Sequence, residues 1–224
     1  EEHLYQGMVE KLPRKKNSQK LDHKAVKDLE EAAVSPQGDI FLISSHNKMK
    51  NDKAEVKGHH LLRLRINSAA QVESLVSRPG KDLFLGLPEE VTASLGQKAA
   101  GEADPANFDI EGLAWHPDGD LLLGLRSPLL GSNAVILRVH DVEAVFAKPD
   151  EAMVVTLEAK LDLQGLGVRG MCYDALSGGY WLIAGVSSNP GGSEVSKKRP
   201  WALWFWNGRA DKKRMKKKKK MQQS

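Results

Sequence analysis

Glu30 and Glu111 are the residues of this chain best placed to do chemistry, because their spacing of 81 is also the offset between two matching segments. The first segment runs Asp28-Leu29-Glu30-Glu31-Ala32-Ala33-Val34-Ser35-Pro36-Gln37-Gly38-Asp39-Ile40. The second runs Asp109-Ile110-Glu111-Gly112-Leu113-Ala114-Trp115-His116-Pro117-Asp118-Gly119-Asp120-Leu121. A weaker third copy, Val168-Arg169-Gly170-Met171-Cys172-Tyr173-Asp174, carries Arg169 where the others carry Glu. Repeats arranged about an axis bring equivalent residues together, so Glu30, Glu111 and Arg169 are expected at one shared mouth. His46 and Arg126 follow the second strand of their copies and reach the same face. Three chemistries stay open there. Glu30 and Glu111 are the beginning of a Ca²⁺ or Mg²⁺ site, although such ions take six or more oxygen ligands. Arg126 and Arg169, with His46, suit a small anionic ligand held by bidentate hydrogen bonds. Alternatively, Glu30, Glu111, Arg126 and Arg169 neutralise one another.

Other candidates read as structural. Asp28 and Asp109 precede a strand and suit capping of nearby backbone amides. His116 and His59-His60 belong to no cluster with metal-ligand spacing. Asp118-Gly119-Asp120 is a hairpin turn rather than a calcium loop. The run Ser187 to Gly192 is a loop that precedes no phosphate-binding helix. No Gly-x-Ser-x-Gly elbow is present, so no catalytic residue can be named. Cys172, the single cysteine, lies in an apolar run and is expected to be buried. Trp201, Trp204 and Trp206 are expected on one face of a strand, filling a core.

The elements that must position these residues are strands. Gly112 to Trp115 meets the turn Pro117-Asp118-Gly119-Asp120, which sets φ at Pro and tolerates positive φ at Gly, and Leu121 to Leu125 returns antiparallel. Third strands follow at Leu61 to Ile66, Ala134 to Val139 and Trp201 to Trp206, with further strands at Met153 to Leu161 and Gln6 to Leu12. Short helices are expected within Leu87 to Gly101 and Asp141 to Ala147. Four antiparallel strands in each unit of roughly 40–80 residues is the pattern of a propeller blade. The chain is therefore read as all-β: a partial β-propeller of three four-stranded blade-like repeats near residues 22–80, 105–165 and 166–208. Rings close with four to eight blades, because each blade face is covered by a neighbour. Three blades leave two faces open, so the chain is expected to be a fragment of a larger ring or to associate with something that completes it.

Charge separates the ends from the body. The formal charge is +4, but Arg209 to Lys220 alone carries nine Lys/Arg against one Asp, which leaves residues 1–208 at about −4. Residues 209–224 are expected to be a disordered Lys-rich tail outside the propeller-like domain of residues 1–208. No aromatic or groove-reading element accompanies the lysines, so specific nucleic-acid binding is not expected. No apolar run approaches a membrane span, and the first residues lack the layout of a signal peptide. The chain begins at Glu1 without Met, so its true start is expected upstream and the compartment stays open. One cysteine excludes an intramolecular disulfide.

Over roughly residues 22–208 the strings Asp109 to Ala114, Gly124 to Leu130 and Leu166 to Met171, with Ile43-Ser44-Ser45-His46 and Asp28-Leu29-Glu30, resemble a bacterial family known as domain of unknown function 3616. The resemblance implies a propeller-like fold and no established activity, so a ligand- or partner-binding module is the leading expectation. A looser similarity reaches the gluconolactonase and calcium-dependent phosphotriesterase propellers, in which a blade opens with Glu-Gly and the Glu helps to hold a metal; esterase-like phytases are a second distant relation. Glu111-Gly112 fits that opening, Glu30-Glu31 fits only in the Glu, and Arg169 departs from it. The alternative this implies is a metal-dependent hydrolase of lactonase or phosphoesterase type, with Glu30 and Glu111 as ligands.

Overall fold

The structure is a computed structural model that describes residues 28–46, 60–68, 72–95, 108–148, 150–187 and 201–209. The expected strand at Gln6 to Leu12 and nearly all of the Lys-rich tail lie outside these residues. Eleven described strands form three antiparallel sheets. The first holds β1 (Leu29–Val34), β2 (Ile40–Ser44), β3 (His60–Ile66) and β4 (Val72–Pro79) in that order. The second holds β5 (Asp109–His116), β6 (Asp120–Ser127), β7 (Ala134–Val139) and β8 (Val155–Leu161). The third, ordered β11-β10-β9, holds β9 (Leu166–Asp174), β10 (Gly179–Val186) and β11 (Trp201–Trp206), so it has three described strands where four were expected.

Each sheet opens with the hairpin that its repeat encodes. Gly38, Gly119 and Gly178 take φ of +85°, +92° and +65°, and their amides donate to the carbonyls of Ser35, His116 and Asp174. A side chain at these points would be strained, and glycine is not. An acidic residue leaving the first two turns then meets an arginine on the third strand: Arg63 Nε lies 2.8 Å from Asp39, and Arg138 bonds Asp120.

The middle sheet is buried on both faces. Ala33, Phe41, Ile43 and Leu61 of the first sheet share a core with Leu113, Leu123 and Leu137 of the second. On its other face Ala114, Leu122 and Ile136 pack with Val168, Met171 and Leu182 of the third. The helices α1 (Gly80–Leu85), α2 (Glu89–Ser94) and α3 (Val142–Ala147) are short insertions between strands. The second and third of these fall where expected; α1 was not expected.

Three expectations are corrected. β4 was not foreseen, because Val72 to Pro79 mixes apolar and polar residues without clean alternation; its pairing with β3 stabilises it. Cys172 is exposed, since its register opposite Trp181 puts it on the outer face of the third sheet. Trp201 does not share a face with Trp204 and Trp206, because three residues along a strand reverse the side. Trp201 is 57% exposed, whereas Trp206 is 7% exposed and stacks on Tyr180 at 5.0 Å.

Candidate functional site

The inner strands β1, β5 and β9 begin at the same end of the molecule, and their first residues form a charged cluster. Ser45 ties the first two sheets together there: its carbonyl accepts from Ile110 N at 2.7 Å, and its amide and hydroxyl donate to the Asp28 carbonyl and carboxylate. A left-handed φ of +58° at Asp28 turns the chain into β1. Glu111 stands at the centre. Its Oε1 accepts from Arg126 Nη1 at 2.9 Å and from Arg169 Nη1 at 2.8 Å. Arg126 also lies 3.4 Å from buried Asp109 and donates to the Val186 carbonyl at 3.3 Å. The Arg169 guanidinium covers the Trp201 ring, 4.9 Å from its centroid, an attraction that leaves the cation fixed in direction. These contacts depend on close backbone approach, for a Cβ on Gly167 would sit 2.1 Å from the Arg126 carbonyl oxygen.

Glu30 completes the cluster on β1. Its carboxyl is pushed up to about 7, first by desolvation and then by the negative charges of Glu111, Asp28 and Asp109, with Arg169 opposing. The folded value lies above the ordinary 4.5, so the folded state holds the proton more tightly. At pH below about 4.5 both states are protonated and Glu30 is neutral to stability; stability falls as pH rises from about 4.5 to about 7 and stays reduced above that. Glu30→Gln is therefore expected to melt above the native chain at about pH 8, by a margin that disappears near pH 4.5. Equal melting temperatures at the higher pH would show that the cluster places no penalty on the Glu30 charge.

The sequence-derived residues thus divide. Glu30, Glu111, Arg126 and Arg169 come together. His46 is buried, with a left-handed φ of +61°; its Nδ1 donates to the Ser44 carbonyl at 2.6 Å and its ring meets Phe108 edge-on. Asp28 and Asp109, read from sequence as turn caps, face the cluster, the first through Ser45 and the second 3.4 Å from Arg126; the signal was their place two residues before Glu30 and Glu111, at the same strand ends. Ser45 and Trp201 carried no such signal. The residues do not fit a resident Ca²⁺ or Mg²⁺. One Glu111 oxygen is committed to two guanidiniums, and no group of three or more His, Cys, Asp or Glu is placed to hold an ion among the described residues.

At the opposite end of the same strands lies an apolar cleft of about 440 Å³, lined by Ala32, Val34, Leu113, Trp115 and Tyr173 together with Cys172. Trp115 is held there by stacking on Phe41 at 5.6 Å. One end of the three-strand bundle is therefore ionic and the other apolar. No helix among the described residues is long and apolar enough to cross a membrane.

The family described as protein of unknown function (DUF3616) matches residues 10–221. No curated protein matches. Among solved structures, the chain is similar to Porphyromonas gingivalis PorZ, an essential bacterial surface component of the type-IX secretion system, at 12% identity and a TM-score of 0.39, over 71% of this chain and 19% of that one. It is also similar to Pseudomonas fluorescens PhoX in complex with vanadate, a transition state analogue, at 14% identity and a TM-score of 0.41, over 80% of this chain and 33% of that one. The chain thus spans a third or less of the length of either protein.

Proposed function

The chain belongs to the DUF3616 family, for which no activity is described, and from that premise we propose that it is a binding module built as three consecutive β-propeller blades. In this reading the ligand docks at the mouth where β1, β5 and β9 begin. The blade reading is supported by the repeated hairpins, by the inner position of these strands and by the burial of the middle sheet between the other two.

The observation that carries the binding function is the double engagement of Glu111 by Arg126 and Arg169 beside the neutral-range carboxyl of Glu30. Both guanidiniums already face carboxylates, so an incoming anion must displace Glu111. The four carboxylates of Asp28, Glu30, Asp109 and Glu111 outnumber the two arginines. The mouth therefore suits a polar ligand that presents an ammonium or another hydrogen-bond donor to Glu30, and this orientation is favoured once Glu30 ionises. The hydrolase alternative is not favoured, because the cluster supplies neither a metal-ligand set nor a nucleophile with a base.

A thermal-shift screen of ammonium-bearing and phosphate-bearing small molecules, run at about pH 6 and about pH 8, tests the proposal. Ammonium compounds are expected to stabilise the chain more at the higher pH, and Glu30→Gln is expected to remove that pH difference. Stabilisation by phosphates alone, unchanged in Glu30→Gln, would reverse the assignment.

A further inference from the structure

The three repeats converge a second time, at the far ends of the strands that open on the charged mouth. The first copy is offset by 81 residues from the second, and the second by 58 from the third. In that register Ala33, Ala114 and Cys172 are equivalent. So are Val34, Trp115 and Tyr173, and so are Pro36, Pro117 and Ala175. Every one of these residues lines the apolar cleft of about 440 Å³. A cavity walled by equivalent positions of three repeats is a product of the repeat and not a chance gap between loops. Val34, Trp115 and Tyr173 stand four residues beyond Glu30, Glu111 and Arg169, about 13 Å at the rise of a strand, so the cleft is separate from the mouth.

The side chains account for both the space and its shape. The first equivalent set is small, two alanines and a cysteine, which leaves room between the strand ends. The second set supplies two aromatic walls, and each ring is backed by another. Trp115 stacks on Phe41 at 5.6 Å with 18° between the planes. Tyr173 lies 5.3 Å from Tyr180, which is itself 2% exposed. The walls are therefore formed before anything binds. No charged residue lines the cleft among the described residues. The Ser35 hydroxyl, one of its few polar groups, already accepts from the Asp39 amide at 3.1 Å.

Apolar pockets of about 300–1,000 Å³ with aromatic walls and few polar groups are the kind that hold small molecules. We propose that this cleft binds an uncharged aromatic small molecule, laid against the Trp115 and Tyr173 rings. A charged compound would lose hydration there without gaining a partner. A sugar would also stack on the rings, but it would find too few hydrogen-bonding groups for its hydroxyls. The inference stands on the cleft and its repeat symmetry and makes no use of the charged mouth.

Titration of the full chain with N-phenylnaphthylamine, an uncharged probe that fluoresces in apolar surroundings, tests the proposal. The probe is expected to bind saturably and to slow alkylation of Cys172, the single thiol of the chain, by iodoacetamide. Ala32→Phe and Ala175→Phe alter exposed lining positions and should each fill the cleft and abolish binding at an unchanged melting temperature. Either variant suffices if the other fails to fold. Ile183→Glu, at a position 48% exposed on the outer face of the third sheet, should leave binding intact. Binding that Ile183→Glu abolishes and the phenylalanine variants retain would put the probe on that outer face and overturn the proposal. Equal binding of anilinonaphthalene sulfonate, the same ring system carrying a negative charge, would overturn the assignment to uncharged ligands. Equal protection of Cys172 by maltose would overturn it in favour of sugars.

Discussion

Replacing Arg78 with leucine is expected to destabilise the chain by about 3–5 kcal/mol, the range for removing one side of a buried charged network. Arg78 arrives on β4 and its side chain is 1% exposed. It donates to the Val145 carbonyl, to Lys148 O at 3.2 Å and to Glu151 O at 2.8 Å, and it meets Asp82 at 3.3 Å. The first two of these carbonyls belong to the C-terminal end of α3, where carbonyls lack helical partners and the helix dipole favours a cation. Leucine would fill part of the volume and leave the Val145 and Glu151 carbonyls without that donor, each at about 1–3 kcal/mol, while Lys148 O keeps the Glu151 amide. The effect should appear as a lower urea midpoint at unchanged slope. Lys148→Ala is the contrast: its bridge to Glu151 is exposed on both sides and should contribute under about 1 kcal/mol. Similar midpoints for the two variants would mean that β4 does not anchor α3.

The second large effect is expected at Gly167. A methyl group there would lie 2.1 Å from the Arg126 carbonyl oxygen and 2.8 Å from its carbonyl carbon, both backbone atoms that cannot swing aside. β6 and β9 must part to admit it, at about 1–3 kcal/mol or more for overpacking. The same movement draws Arg126 away from Glu111 and Asp109 and so perturbs the mouth. Gly38→Ala is the matched control, because it meets nothing within 4 Å and is strained only through its φ of +85°. Both changes should lower the melting temperature, but only Gly167→Ala should alter the pH at which Glu30 titrates, read by carboxyl NMR. An unchanged Glu30 titration in Gly167→Ala would mean that the Gly167–Arg126 approach does not hold the cluster together.

Much of this arrangement was legible because repeats convert sequence offsets into spatial neighbours. The shared offset of 81 placed Glu30 and Glu111 in equivalent positions, and Arg169 followed from the third copy. Turn residues at Pro36 to Gly38 and Pro117 to Gly119 located the first two hairpins, since few residues tolerate the backbone they need. What periodicity did not supply was the partner of each charge. Arg126 meets Glu111 only because Gly167 lets β6 and β9 approach. Trp201 meets Arg169 because the parity of β11 turns it outward rather than inward. β4 escaped notice because its pairing with β3, not its own pattern, holds it extended.

Glu30 and Glu111 measure the division between the two levels. By itself the sequence determined their chemical type, their equivalence and the strand ends on which they stand, since these follow from local pattern and repetition. Only the tertiary structure decided that Glu111 is held by two guanidiniums while Glu30 keeps a carboxyl that titrates near neutrality. Burial and the charge of neighbours set those states, and both arise from the packing of three sheets whose residues are far apart along the chain.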